Sequence, residues 1–283
     1  MSDFLFSHTS MSCWRRCKYQ FFLKYVEGYS MPSSGGQLTG SSGHAALAYW
    51  YKQTDHIKNK KQDGKAIDTA WKSYCEEFKK MGREVDNQYF EPAEAALLRY
   101  FPVAREQDKR WEVLSSEYEF KVNVGQYPLI GFIDLIVRTQ GQIWIVEHKF
   151  NKQVSTGHLD LDPQVSTYLL AATIAGYNPI GVIYNIIRTS SGPTAIKEPF
   201  VRSMLYRNPE GLQVKAKEMT GQMAEMKSFL DDGGTIYRNE TRDCHWDCTF
   251  FNACLSITDN GSPDEILSRL VKRQTEYGDE YET

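Results

Sequence analysis

Two apolar runs, YPLIGFIDLIVR (127–138) and IWIVEHKF (143–150), constrain this chain more than any other feature. Both are rich in Ile, Val and Phe, and Thr139-Gln140-Gly141-Gln142 separates them, so they read as antiparallel strands joined by a tight turn. Asp134 interrupts the first run, and Glu147 and Lys149 interrupt the second. Burying a carboxylate without a partner costs on the order of several kcal/mol. These three side chains must therefore face a metal ion, one another or a water-filled cleft, and the metal ion is the most economical of the three.

The chain has 283 residues, enough for one large domain or two small ones. A net charge of -3 gives no global signature of a nucleic-acid binder, although a local basic groove is compatible with it. No 18-residue apolar span occurs, and the N-terminus lacks a basic segment followed by an apolar one and a cleavage site. The protein is accordingly read as cytoplasmic, without a membrane partner. In a reducing compartment the six cysteines favour metal ligation over disulfides.

Along the chain, residues 12–29 have helical spacing, and the Ser/Gly-rich stretch SMPSSGGQLTGSSG (30–43) reads as a connector before a helix opened by Gly43 and His44. A lysine-rich exposed segment (58–65) and helices over about 66–82 and 91–107 follow. Strand character begins at Trp111. Three strands, a helix started by Asp162-Pro163 and a further strand, GVIYNIIRT, fit a mixed sheet with a helix packed on it. A long helix from Pro209 to about Asp231, a cysteine-rich stretch and a polar helix from Pro263 complete the chain. The division expected is a helical region over 1–110, a core over 111–208 and a C-terminal region over 209–283, within one compact unit.

The ordered set Gly40-x-x-x-His44, GFID with Asp134, Glu147-x-Lys149 and Gln164-x-x-x-Tyr168 resembles the RecB-like branch of the PD-(D/E)XK nuclease superfamily. The resemblance runs from Ser7 to Cys254 and implies an α/β fold: a restriction-endonuclease-like mixed sheet flanked by helices. It also implies metal binding by His44, Asp134, Glu147 and the main-chain carbonyl of His148, with strand positioning by Gln164 and Tyr168. Phosphodiester hydrolysis needs an activated water and neutralised phosphate oxygens. Asp134 and Glu147 are hard oxygen ligands suited to Mg2+ or Mn2+, and His44 biases the choice toward Mn2+. Lys149 shares a strand face with Glu147, where it can orient water or stabilise charge. Glu117 is an additional ligand or a solvated strand residue, the second being preferred. Arg188, Arg202 and the lysines of 58–65 are read as solvated charge rather than phosphate contacts, and Trp14, Tyr19, Phe22 and Tyr25 as core.

Cys244-x3-Cys248-x5-Cys254, with Cys17 far upstream, is similar to the four-cysteine iron-sulfur staple of such nucleases and implies a 4Fe-4S cluster in a C-terminal cysteine clamp. Zn2+ is the alternative metal, and Cys13 rivals Cys17 as the fourth ligand. The function implied is a metal-dependent DNA exonuclease acting on single strands or duplex ends, of a kind that suits a phage or prophage. The competing class is a non-catalytic DNA-binding or assembly subunit in recombination or CRISPR adaptation.

Overall fold

The computed structural model describes residues 4–53 and 59–272. The chain divides into two compact units, one of Met1–Pro32, Lys121–Gly131 and Val214–Thr283, the other of Ser33–Phe120 and Phe132–Gln213. Cys17 belongs to the first unit and His44 to the second.

The first unit opens with α1 (His8–Arg16), started by a reciprocal cap in which Ser7 and Ser10 each accept the other's N–H. The helix expected over 12–29 begins earlier and is interrupted at Cys17, whose backbone is extended (φ -162°, ψ 120°). The Cys17 sulfur accepts the Gln20 N–H at 3.5 Å, which caps α2 (Lys18–Phe21) and accounts for the interruption. A π-helical turn (Phe22–Val26) and β1 (Tyr29–Ser30) follow.

In the second unit the Ser/Gly-rich stretch is not a connector. Ser34 and Gln37 form a capping box, and α3 (Gly35–Lys52) runs straight through the glycines. Packing overrides propensity here: a Cβ on Gly43 would stand 2.3 Å from the Phe150 ring, so the glycine permits the helix to lie close on the sheet. α4 (Lys61–Lys80) starts earlier than expected because Asp63 in its first turn accepts Trp50 Nε1 at 3.0 Å and pairs with Arg105. Residues 61–65 of the lysine-rich segment are thus helical, and Lys58 lies outside the described residues. α5 (Glu91–Gln107) occupies the expected span.

The sheet has the order β2 (Glu112–Val124), β3 (Tyr127–Thr139), β4 (Gln142–Asn151), β5 (Gly181–Arg188), β6 (Phe200–Leu205). β3 and β4 form the expected hairpin, with Thr139 opposite Gln142 and both turn residues, Gln140 and Gly141, at positive φ. β4 and β5 are parallel, joined by the crossover α6 (Pro163–Ile174), while α7 (Pro193–Lys197) precedes the antiparallel β6. The sheet is therefore mixed and flanked by helices. Its main core lies between α3–α5 and the face carrying Leu135, Val137, Val146, Ile183 and Ile187.

α8 (Pro209–Asp232) spans the expected residues; Met219, Met223 and Met226 form its buried stripe and Glu225 meets Lys18 at 2.6 Å. Trp14 is buried against Phe21 and Phe229, which fits its reading as core. After α8 the first unit continues with α9 (Cys244–Asp247), α10 (Phe251–Thr258), α11 (Asp264–Leu267) and β7 (Val271–Lys272). In place of a polar helix from Pro263 there is one turn, after which the chain extends to pair with β1. Among the described residues, no helix is long and apolar enough to cross a membrane.

Candidate metal centre

Four elements of the second unit bring the charged residues together: α3 carries His44, β3 Asp134, β4 Glu147 and Lys149, and α6 Gln164 and Tyr168. His44 Nδ1 lies 3.4 Å from Asp134 Oδ1, and the other oxygen, Oδ2, accepts the His148 main-chain N–H at 2.7 Å. That N–H is thereby committed to a carboxylate, a charge-assisted bond that holds Asp134 in one orientation. Lys149 Nζ stands 2.5 Å from Glu147 Oε1, as their shared strand face requires. Glu147 is 3% exposed, yet its Oε2 is buried without a hydrogen-bond partner. A buried carboxylate oxygen that no donor satisfies is the kind of atom a hard divalent cation takes.

Glu117 joins this centre, and its reading as a solvated strand residue gives way. Its carboxylate, the His44 ring nitrogen and an Asp134 oxygen all lie within 4.8 Å of one another. Glu117 sits inside β2 at φ 51°, a left-handed backbone rare for a non-glycine residue, and such kinks re-aim a side chain. Nothing local in WEVLSSEYEF signals that kink, because the tertiary setting imposes it. Glu147 stands outside this three-residue group, with its electrostatics tied to Asp134, Lys149 and His44.

The protonation states follow from crowding. Burial opposes charge on His44, but Asp134 outweighs it and raises the imidazole to about 9. Burial likewise opposes charge on Asp134, yet His44 holds it well below the usual carboxylate range. Burial and then Asp134 raise both Glu117 and Glu147 to about 7. Lys149, despite its burial, is raised by Glu147 and Asp134 and stays charged. A protonated His44 thus supplies positive charge among three carboxyl groups, which a divalent ion would supply in its place.

Gln164 Nε2 donates to the Tyr168 hydroxyl at 2.9 Å, so the two share one face of α6. Burial, with Glu147 and Asp134 next, raises Tyr168 well above its ordinary value, and the phenol stays protonated. Arg202 departs from its reading as solvated charge: it forms a buried pair with Asp108, 2.5 Å from Oδ1. Arg188 reaches Glu198 at 3.7 Å.

In the first unit, Cys17, Cys244, Cys248 and Cys254 all line a cavity of about 180 Å³, and Cys13 is not among its lining residues. Main-chain donors point at two of these sulfurs: Asn239 N–H at 3.4 Å from Cys17 and Thr241 N–H at 3.4 Å from Cys244. Burial and then the neighbouring sulfurs push the Cys254 thiol up to about 11. All six cysteines are free thiols. Among the described residues, His44, Glu117 and Asp134 form a ligand group within 4.8 Å; the cysteines form no such group, so the tight clamp expected at the C-terminus is not drawn together here.

No curated protein matches the chain. Among solved structures, a candidate exonuclease from Eubacterium rectale is similar, with a TM-score of 0.58 at 11% identity over 86% of this chain and 86% of that one; this shows a shared fold. SSO0001 is matched at a TM-score of 0.34 and 15% identity, over 75% of this chain and 84% of that one, a likeness too loose to inform the fold. The model of the PD-(D/E)XK nuclease superfamily matches residues 5–255, and with nearly the whole length covered the chain belongs to that superfamily.

Proposed function

We propose that the protein is a metal-dependent DNA nuclease of the RecB-like type, acting as an exonuclease on single strands or duplex ends. The observation that carries this reading is the half-buried ligand group itself. His44, Glu117 and Asp134 offer three ligand atoms within 4.8 Å, and beside them Glu147 has an oxygen that no protein donor satisfies. One imidazole among carboxylates suits Mn2+ or Mg2+, with the His148 carbonyl as a further ligand by family resemblance. When bound, the ion polarises a phosphoryl oxygen and lowers the pKa of water. Lys149 is held 2.5 Å from Glu147, where its ammonium orients the attacking water or stabilises charge on the phosphate. Gln164 and Tyr168 present hydrogen-bonding groups from one face of α6 to the sugar-phosphate backbone of the strand being cut.

The test is degradation of end-labelled linear, circular, single-stranded and duplex DNA with Mn2+ or Mg2+. Cleavage of linear but not circular substrates is the expected result. Binding of DNA without hydrolysis in any metal would instead support a non-catalytic subunit of recombination or CRISPR adaptation.

For the cysteines we propose a 4Fe-4S cluster held by Cys17, Cys244, Cys248 and Cys254. Their common cavity supports this, and the family resemblance favours it over zinc. Protein purified without oxygen should be brown; a colourless preparation containing zinc would overturn the assignment.

A further inference from the structure

Behind the metal centre lies a chain of buried polar side chains that the proposed chemistry leaves unused. Asp108, fully buried at the end of α5, takes Arg202 Nη1 at 2.5 Å and Nη2 at 2.9 Å. Arg202 also donates through Nε to Asn185 Oδ1 at 3.2 Å. A guanidinium can only donate, so this contact settles which end of the Asn185 amide is oxygen. The amide nitrogen therefore faces His148 Nδ1 at 2.8 Å and the Tyr100 hydroxyl at 3.2 Å. With Nδ1 accepting, the proton of the neutral His148 ring lies on Nε2. Register places these links at one level of three strands, with His148 opposite Asn185 and Asn185 opposite Arg202.

Tyr51 closes the chain from α3. Its ring stacks on His148 with centroids 5.6 Å apart and planes 17° from parallel, while its hydroxyl donates to Asp108 Oδ2 at 2.8 Å. Two ends of this network lead to the centre. His148 gives its main-chain N–H to Asp134, and Tyr51 lies seven residues beyond His44, on the same face of α3.

We propose that Asp108, Arg202, Asn185 and Tyr51 are positioning residues that act through His148 and α3 to hold Asp134 and His44 in ligand geometry. A buried ion pair is a poor source of stability compared with apolar packing, but its directional bonds fix strand and helix where apolar contacts would let them slide. The inference rests on the metal reading above, so its test needs one measurement made without metal.

Asn185→Leu removes the central amide at similar volume. In the metal-free variant the His148 amide proton resonance should move upfield as its bond to Asp134 loosens. Calorimetric titration with Mn2+ should show affinity about 10- to 100-fold weaker. Tyr51→Phe, which keeps the stacked ring, should produce a smaller change of the same kind and serves if Asn185→Leu does not fold. Leu97→Ala, a core change outside the network, should alter neither quantity. The proposal is overturned if a folded variant retains the wild-type amide resonance, or if its Mn2+ affinity is unchanged. Failure of the wild-type protein to bind Mn2+ would sink the metal reading instead, and the amide resonance would still decide whether the network aligns Asp134.

Discussion

The carboxylate centre and the cysteine cavity hold potential ligands in opposite ways. At the centre, two of the carboxylates are oriented by partners the fold supplies: Asp134 by the His148 N–H and His44, and Glu147 through one oxygen by Lys149. Around the cavity, four cysteines share one lining with a few main-chain donors, and the nearby apolar cluster has Leu23, Phe250, Ala253 and Leu267 as its buried members among the described residues. The first arrangement lies beside a large core and, on the proposed reading, takes an ion for its chemistry. The second gathers ligands beside a small apolar cluster, where a bound metal cluster would contribute folding energy directly.

The sharpest way to break this comparison is to remove a charge from the centre. Asp134→Ala or Lys149→Ala should reduce DNA hydrolysis by about 10³-fold or more while circular dichroism stays that of the native fold. Full activity in either variant would remove the proposed site. Glu117→Gln keeps the shape and deletes a ligand charge, so calorimetry should show Mn2+ affinity falling about 10- to 100-fold; an unchanged value would return Glu117 to a structural role.

Acidity offers a test with a definite sign. Glu117 and Glu147, raised to about 7, and His44, raised to about 9, keep protons in the folded chain that the unfolded chain has already released. Stability of the metal-free protein should therefore fall as pH rises, from 4.5 through about 7 for the two acids and from 6.5 through about 9 for His44; His148, which burial lowers to about 3, opposes this only below 6.5, where the two acids together outweigh it. Since a metal displaces these protons, saturating Mn2+ should reverse the trend in unfolding temperature, and a metal-free protein whose stability rises from pH 5 to 9 would refute the assignment.

At the cavity, Cys248→Ser should act on stability rather than on metal affinity at the carboxylates. A loss of about 3 kcal/mol would lower the unfolding temperature by roughly 10 °C. Anaerobic absorbance near ~400 nm should disappear with it. The smallest effect concerns packing: Gly43→Ala pushes a methyl toward Phe150 and should cost about 1–3 kcal/mol in denaturant unfolding.

Much of this was legible in the residues because it is local. Apolar runs of high β-branched content mark β3, β4 and β5, and Asp162-Pro163 marks the start of α6. Charge inside apolar strands marks Asp134, Glu147 and Lys149. What was not legible depends on contacts distant in sequence. α3 extends through glycines because Phe150 and Tyr89 pack where side chains would be. Arg202 looks like surface charge until Asp108, ninety-four residues away, is seen to bury it.

The sequence alone determined the central strands, the helices α5, α6 and α8 and the chemical groups they carry, since helix and strand periods and the cost of burying charge act over a few residues. Only the tertiary structure decided that Glu117 turns inward to meet His44 and Asp134, and that Cys17 and the three distant cysteines line one cavity. The physical reason is that ligand geometry is a matter of ångströms between atoms set by long-range packing, and no local pattern encodes it.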